Sequence, residues 1–244
     1  MVRLKELRYI EIGIQPRTFT GVETYKPMSG KLAAPHISPL LRIIPHIIGL
    51  LPLVLLIGDG LADRLTVNPI QYLTQRTGWF ALMLLLATLA CTPLNRWFGW
   101  KQVMRWRRPL GLYSFGYAGL HLAIFVALDY GFDLSLILQT ISEKRYIIAG
   151  LLAFALLLSL AITSTGGWQR RLKHWWRRLH RLVYLAAILA VIHYLWLSKD
   201  PRPALIAGSL LGILLLSRLI GRQSWQRVVQ WLHERIKRQI SACR

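Results

Sequence analysis

The sequence predicts an all-α, polytopic membrane protein: a bundle of six transmembrane helices with both termini cytoplasmic. Three observations lead there. Of the 244 residues, 54% are hydrophobic and 10 are Trp, a composition outside the range of ordinary soluble domains. Six apolar runs each approach the ~20 residues that a helix needs to cross a bilayer. The cations are also placed asymmetrically. With the amino terminus inside, 25 of the 31 Lys and Arg fall on inner segments and 6 on outer loops, a strong positive-inside bias.

Residues 1–38 are polar and broken by Pro16, Pro27, Pro35, Gly13, Gly21 and Gly30. They read as a loosely ordered cytoplasmic segment, with no apolar stretch ahead of a small-residue cleavage site. The membrane domain then occupies residues 39–222. Its first run, about Leu40–Ile57, contains Pro45 and Pro52, and its second is Thr77–Leu94. The third, Pro109–Leu128, is read as opening on its proline, since a missing N–H costs nothing at a helix start. The fourth is Tyr146–Thr163 and the fifth Trp176–Leu197. The sixth, Pro203–Ile220, holds Gly208 and Gly212, spaced for close helix contact. Residues 223–244 form a basic cytoplasmic tail.

A formal charge of +21 could suggest a nucleic-acid partner, but the cations lie between hydrophobic runs. That placement suits anionic lipid at the inner surface instead. Cys91 and Cys243 stand far apart and form no CxxC, which argues against a disulfide scaffold or a thiolate metal site.

The stretch Trp175–Lys199 is the most informative. It opens on a collar of Trp175, Trp176, Arg177, Arg178 and Arg181, runs on as an apolar helix, and closes on Tyr194 and Trp196. His180 and His193 lie within it, roughly 20 Å apart at the helical rise. Histidine inside a membrane span points first to function. His121 lies about 12 residues into the third run, or roughly 18 Å, which puts it deep in the outer half. His121 and His193 are therefore at similar depth on two helices running the same way. Two neutral imidazoles facing each other across one iron is what a bis-histidine heme requires. The plainer role for each is a polar bond to a neighbouring helix. His180 and His46 lie at the inner level, and His46 is the weaker ligand candidate, since a histidine near a helix end commonly serves packing. Arg107, Arg108 and Arg178 stand at the inner interface, where they could pair with heme propionates or anchor helix ends against lipid. A spacing of 13 residues rotates His193 by about 220° from His180 on an ideal helix. Either a bulge or kink intervenes, or the two point at different partners.

Four stretches carry a resemblance, in this order along the chain: T-G-W-F-A-L-M-L-L-L-A-T-L-A-C-T-P-L, R-R-P-L-G-L-Y-S-F-G-Y-A-G-L-H-L, L-A-I-T-S-T, and L-H-R-L-V-Y-L-A-A-I-L-A-V-I-H-Y-L-W. From about His46 to Trp231 the chain resembles the MsrQ (formerly YedZ) family. These are the membrane subunits of bacterial methionine-sulfoxide reductase systems, within the ferric-reductase-like transmembrane group. The resemblance implies a six-helix b-type cytochrome of the bacterial inner membrane carrying heme b, with FMN also attributed to the family. Electrons would pass from the quinone pool, or from a cytoplasmic flavin reductase, to MsrP. That partner is a periplasmic molybdopterin enzyme that repairs oxidised methionine in other proteins. His121, His180 and His193 fall on the family's heme histidines. Relatives in the wider oxidase group carry another histidine 13 or 14 positions before His121. Here those positions hold Arg108 and Arg107, so any inner heme needs a different ligand.

Two other readings stay open at this level. One is a stand-alone ferric or oxygen reductase; the other is a heme-free transporter or anchor whose histidines carry protons. No G-x-G-x-x-G in a βαβ context is present, so a nucleotide-driven reductase within this chain is not indicated.

Overall fold

The computed structural model describes residues 39–62, 64, 66–219 and 231. The N-terminal segment 1–38 lies outside the described residues, as does the tail apart from Trp231. Every regular element described is helical: α1 (Pro39–Leu61), α2 (Pro69–Phe98), α3 (Val103–Ile124), α4 (Leu134–Glu143), α5 (Arg145–Ile162), α6 (Gly166–Leu179), α7 (Leu182–Leu197) and α8 (Arg202–Leu219). A π-helical turn, Phe125–Asp129, extends α3.

Among the described residues, four helices are long and apolar enough to cross a membrane: α1, α2, α5, and α3 with its π turn. The pair α6 and α7 makes a fifth if its two arms, bent by 52°, count as one span. With the exposed apolar surface of α1, α5 and α8, this is a multi-pass membrane protein. Val54, Leu152 and Ile206 face outward where a soluble protein would put polar groups.

α2 is the axle of the bundle. At 30 residues it runs about 45 Å, well beyond the apolar stretch seen in the sequence. Asn68 caps it by accepting from the Gln71 N–H at 3.2 Å, and Pro69 takes the first helical position. Gly99, at φ 71°, ends it in the left-handed conformation that glycine adopts without a Cβ clash. Leu85, Leu86 and Leu89 of α2 are almost fully buried, packed with Ala186 and Ala187 of α7 and Leu211 of α8. The two alanines are 0% exposed, so α7 approaches the axle closely. On the other side α2 packs along α3, where the hydroxyl of fully buried Ser114 donates to the Ala81 carbonyl at 2.8 Å. α5 packs chiefly against α7, and α1 against α3, where the Tyr117 hydroxyl donates to the Gly49 carbonyl at 2.8 Å.

The helix boundaries depart from the sequence reading in three places. α3 begins six residues before Pro109, which is interior and not at the helix start. The apolar run marks only the lipid-crossing part, and the basic turn Arg105–Arg108 is helical at the interface. α4 had no counterpart among the expected runs. It is a 10-residue amphipathic helix capped by Asp133, whose carboxylate accepts from the Ser135 and Leu136 N–H groups. The fifth span is also not one helix, because the chain bends at His180–Arg181. Six cations between Arg170 and Arg181 resist entry into hydrocarbon. The basic arm α6 therefore turns away from the apolar arm α7.

Candidate functional site

α3 and α7 carry the site. His121 and His193 meet with ring centroids 6.1 Å apart and ring planes at 84°. Both are half-buried in the bundle. Each is tied to the backbone of a different helix. Nδ1 of His121 donates to the Thr74 carbonyl of α2 at 2.8 Å, and Nδ1 of His193 donates to the Tyr146 carbonyl of α5 at 2.7 Å. A carbonyl oxygen only accepts, so Nδ1 carries the proton in both rings and Nε2 keeps its lone pair. Such a bond fixes the tautomer and ring orientation of a metal-binding histidine.

The rings reach those carbonyls because glycine stands beneath them. A Cβ on Gly78 would lie 3.0 Å from Nδ1 of His121, and one on Gly150 would lie 2.7 Å from Nδ1 of His193. Aromatic side chains wall the surroundings. Phe115 of α3 stacks on Phe154 of α5 at 5.7 Å, Tyr146 lies 5.9 Å from His193, and Trp79 lies 5.9 Å from Tyr194.

The donor set suits a metal macrocycle better than a bare ion. Among the described residues no three His, Cys, Asp or Glu side chains gather to hold a cation. A porphyrin supplies four equatorial nitrogens itself and asks the protein only for axial ligands. Two imidazoles on opposite sides of one metal, with bonds of about 2 Å, set their ring centres roughly 6.3 Å apart. The observed 6.1 Å meets that requirement.

The remaining candidates lie elsewhere. His180 sits at the bend, its ring centroid 4.1 Å from that of Trp176 and its Nδ1 donating to the Trp176 carbonyl at 3.1 Å. The bend answers the rotation problem, because the two histidines do not share a continuous helix. His46 of α1 pairs with the Tyr113 hydroxyl at 3.0 Å and lines a cavity of about 160 Å³ with Arg42, Arg105 and Trp106. Arg107 and Arg108 precede His121 by 14 and 13 residues, about 20 Å along α3. They stand toward the opposite end of α3, apart from the paired histidines. Among the described residues, the buried Nε of Arg107 has no hydrogen-bond partner. Arg108 and Arg178 are exposed, and the Arg178 guanidinium lies 4.7 Å over the Trp175 ring.

Three features went unread in the sequence. Gly78 and Gly150 are given no role there. Arg218 is likewise given no role, yet it reaches into the bundle. Its Nη2 donates to the Leu89 carbonyl at 2.8 Å, its Nη1 donates to the Tyr184 hydroxyl, and its own carbonyl accepts from Arg96 at 2.9 Å.

Residues 77–191 match the family described as ferric reductase like transmembrane component. That segment runs from within α2 into α7; it includes His121 and stops two residues before His193. A protein-methionine-sulfoxide reductase heme-binding subunit MsrQ of Xanthomonas euvesicatoria pv. vesicatoria (strain 85-10) is 42% identical over 195 residues, covering 77% of this chain and 87% of the relative. The protein of the same name from Herminiimonas arsenicoxydans is 40% identical over 200 residues, covering 79% and 91%. The chain belongs to the MsrQ family. Another MsrQ, from Xanthomonas campestris pv. campestris (strain B100), is 44% identical over 169 residues, 68% of this chain and 75% of the relative. These MsrQ relatives match 68–79% of the chain, so the resemblance read from four short motifs extends over most of it.

Proposed function

We propose that this chain is a b-type cytochrome subunit that carries electrons across the bacterial inner membrane to a periplasmic methionine-sulfoxide reductase. The observation that carries this reading is the His121–His193 pair, with both Nε2 lone pairs free and the ring centres 6.1 Å apart. The relatives' name, heme-binding subunit, supplies the group that such a pair would hold. When bound, heme supplies a one-electron ferric–ferrous couple in a low-dielectric setting.

The chain's own residues do the rest. His121 and His193 would hold the heme iron through Nε2, Thr74 and Tyr146 orient the two rings through Nδ1, and the α2, α3, α5 and α7 side chains exclude water. His180 marks the inner level, where Arg107, Arg108 and Arg178 neutralise propionate or lipid headgroup charge. His46, on α1, is given a structural role beside Tyr113. α8 serves as the sixth span, which places both termini on the cytoplasmic side, in line with the charge bias. The donor is the quinone pool or a cytoplasmic flavin reductase, with FMN as the flavin the family employs. The acceptor is the molybdopterin enzyme MsrP.

The test is reoxidation. The purified, dithionite-reduced chain is mixed with MsrP and methionine sulfoxide, and its heme absorbance is followed. Rapid reoxidation that needs both additions supports the reading. Equal reoxidation by ferric chelate or oxygen alone would favour a stand-alone reductase instead.

A further inference from the structure

The two histidine attachments are the same device used twice. Thr74, Gly78 and His121 recur as Tyr146, Gly150 and His193, each displaced by 72 residues. In both, an imidazole on one helix donates to the carbonyl of residue i on an earlier helix packed against it, α2 for His121 and α5 for His193, and residue i+4 is glycine. The register has a physical reason. A helical carbonyl points along the axis toward residue i+4, whose N–H it already accepts. In these two pairs the imidazole reaches the second lone pair across residue i+4, where an added Cβ would stand only 3.0 Å or 2.7 Å from Nδ1. Alanine is the better helix former at an interior position, so propensity alone does not favour glycine there.

We propose that Gly78 and Gly150 are positioning residues that admit the Nδ1 edge of each imidazole to a helix backbone. They thereby set the near-perpendicular ring planes and the basicity of the axial ligands, and with them the potential of the iron. This rests on the heme reading above. The Nδ1–H···O=C bond pushes electron density toward Nε2, which favours the ferric state; losing it raises the midpoint potential. The two positions differ in tolerance. At Gly150 the added Cβ would sit 2.7 Å from Nδ1, 2.9 Å from Cε1 and 3.3 Å from Cγ, so the His193 ring must leave its seat. At Gly78 the distances are 3.0 Å to Nδ1 and 3.1 Å to Cε1, and a shift of a few tenths of an ångström suffices.

The experiment compares the purified full-length wild type with Gly78→Ala, Gly150→Ala and Gly116→Ala. Gly116 serves as control, because nothing lies within 4 Å of its added Cβ. Heme content, midpoint potential and the ferric EPR spectrum are read for each. The wild type is expected to give the highly anisotropic low-spin signal of crossed imidazole planes. Gly150→Ala should retain heme about 10–100-fold more weakly, the cost typical of a lost partner to a metal-bound histidine. Gly78→Ala should keep its heme, with a raised potential and a less anisotropic signal, and Gly116→Ala should match the wild type. If Gly150→Ala does not accumulate, Gly78→Ala decides alone. Wild-type potential and EPR in Gly78→Ala, and in any Gly150→Ala obtained, overturn the positioning role while leaving the heme reading intact. A wild type without heme overturns the reading on which it rests.

Discussion

Arg218 offers a sharp prediction because its guanidinium joins three helices at one end of the bundle. It donates to the Leu89 carbonyl of α2 and to the Tyr184 hydroxyl of α7, and its Cζ lies 4.7 Å over the Tyr184 ring. A hydrogen bond from a charged donor contributes about 1.5–3 kcal/mol, and a cation–π contact about 0.5–2 kcal/mol. Arg218→Met keeps the apolar stem and loses all three interactions. Release from the desolvation of a half-buried charge offsets part of this, leaving a net loss of about 2–4 kcal/mol. Tyr184→Phe strands one donor of the same guanidinium and costs about 1–3 kcal/mol. The informative quantity is their coupling. Side-chain hydrogen bonds between membrane helices average about 0.6 kcal/mol in such cycles, with a maximum near 1.7 kcal/mol. A charged donor belongs near the upper end, about 1.5 kcal/mol. The assay is reversible unfolding in mixed micelles with rising dodecyl sulfate, followed by Trp fluorescence, for the wild type, both single variants and the double. Additivity within about 0.3–0.5 kcal/mol would refute the reasoning and return Arg218 to the role of a solvated interface cation.

Ala187→Leu inserts three carbon atoms where α7 meets the buried leucines of α2, and should cost about 1–3 kcal/mol in the same unfolding assay; the lipid-facing change Leu185→Ala should cost far less. Alkaline phosphatase fused after Gly131 or Asp200 should be active in the periplasm, and fusions after Gly99 or Gly166 should be inactive. The reverse pattern would contradict the assigned orientation.

The legible parts of this chain are those governed by transfer free energy. Long apolar runs and the Lys and Arg bias announce a helical membrane protein, because hydrocarbon tolerates neither open backbone nor free charge. The depth match of His121 and His193 was likewise readable, since helical rise converts residue number into distance. The bend at His180–Arg181 was harder. It is set by a contest between the apolar run of α7 and the cations of α6, with no proline to announce it. Gly78 and Gly150 were hidden for another reason. Their meaning lies in what a different helix places against them, and only the 72-residue recurrence with His121 and His193 carried a trace of it. Arg218 shows the same limit, since its bonds to Leu89 and Tyr184 depend on how α8 packs against two other helices.

The most direct measurement is a reduced-minus-oxidised spectrum with heme quantitation on the purified wild type and on His121→Ala, His193→Ala, His180→Ala and His46→Ala. Loss of most heme in His121→Ala and His193→Ala, with the outer heme retained in His180→Ala and His46→Ala, is the predicted result. Full heme in all four variants would show that the paired imidazoles hold no iron.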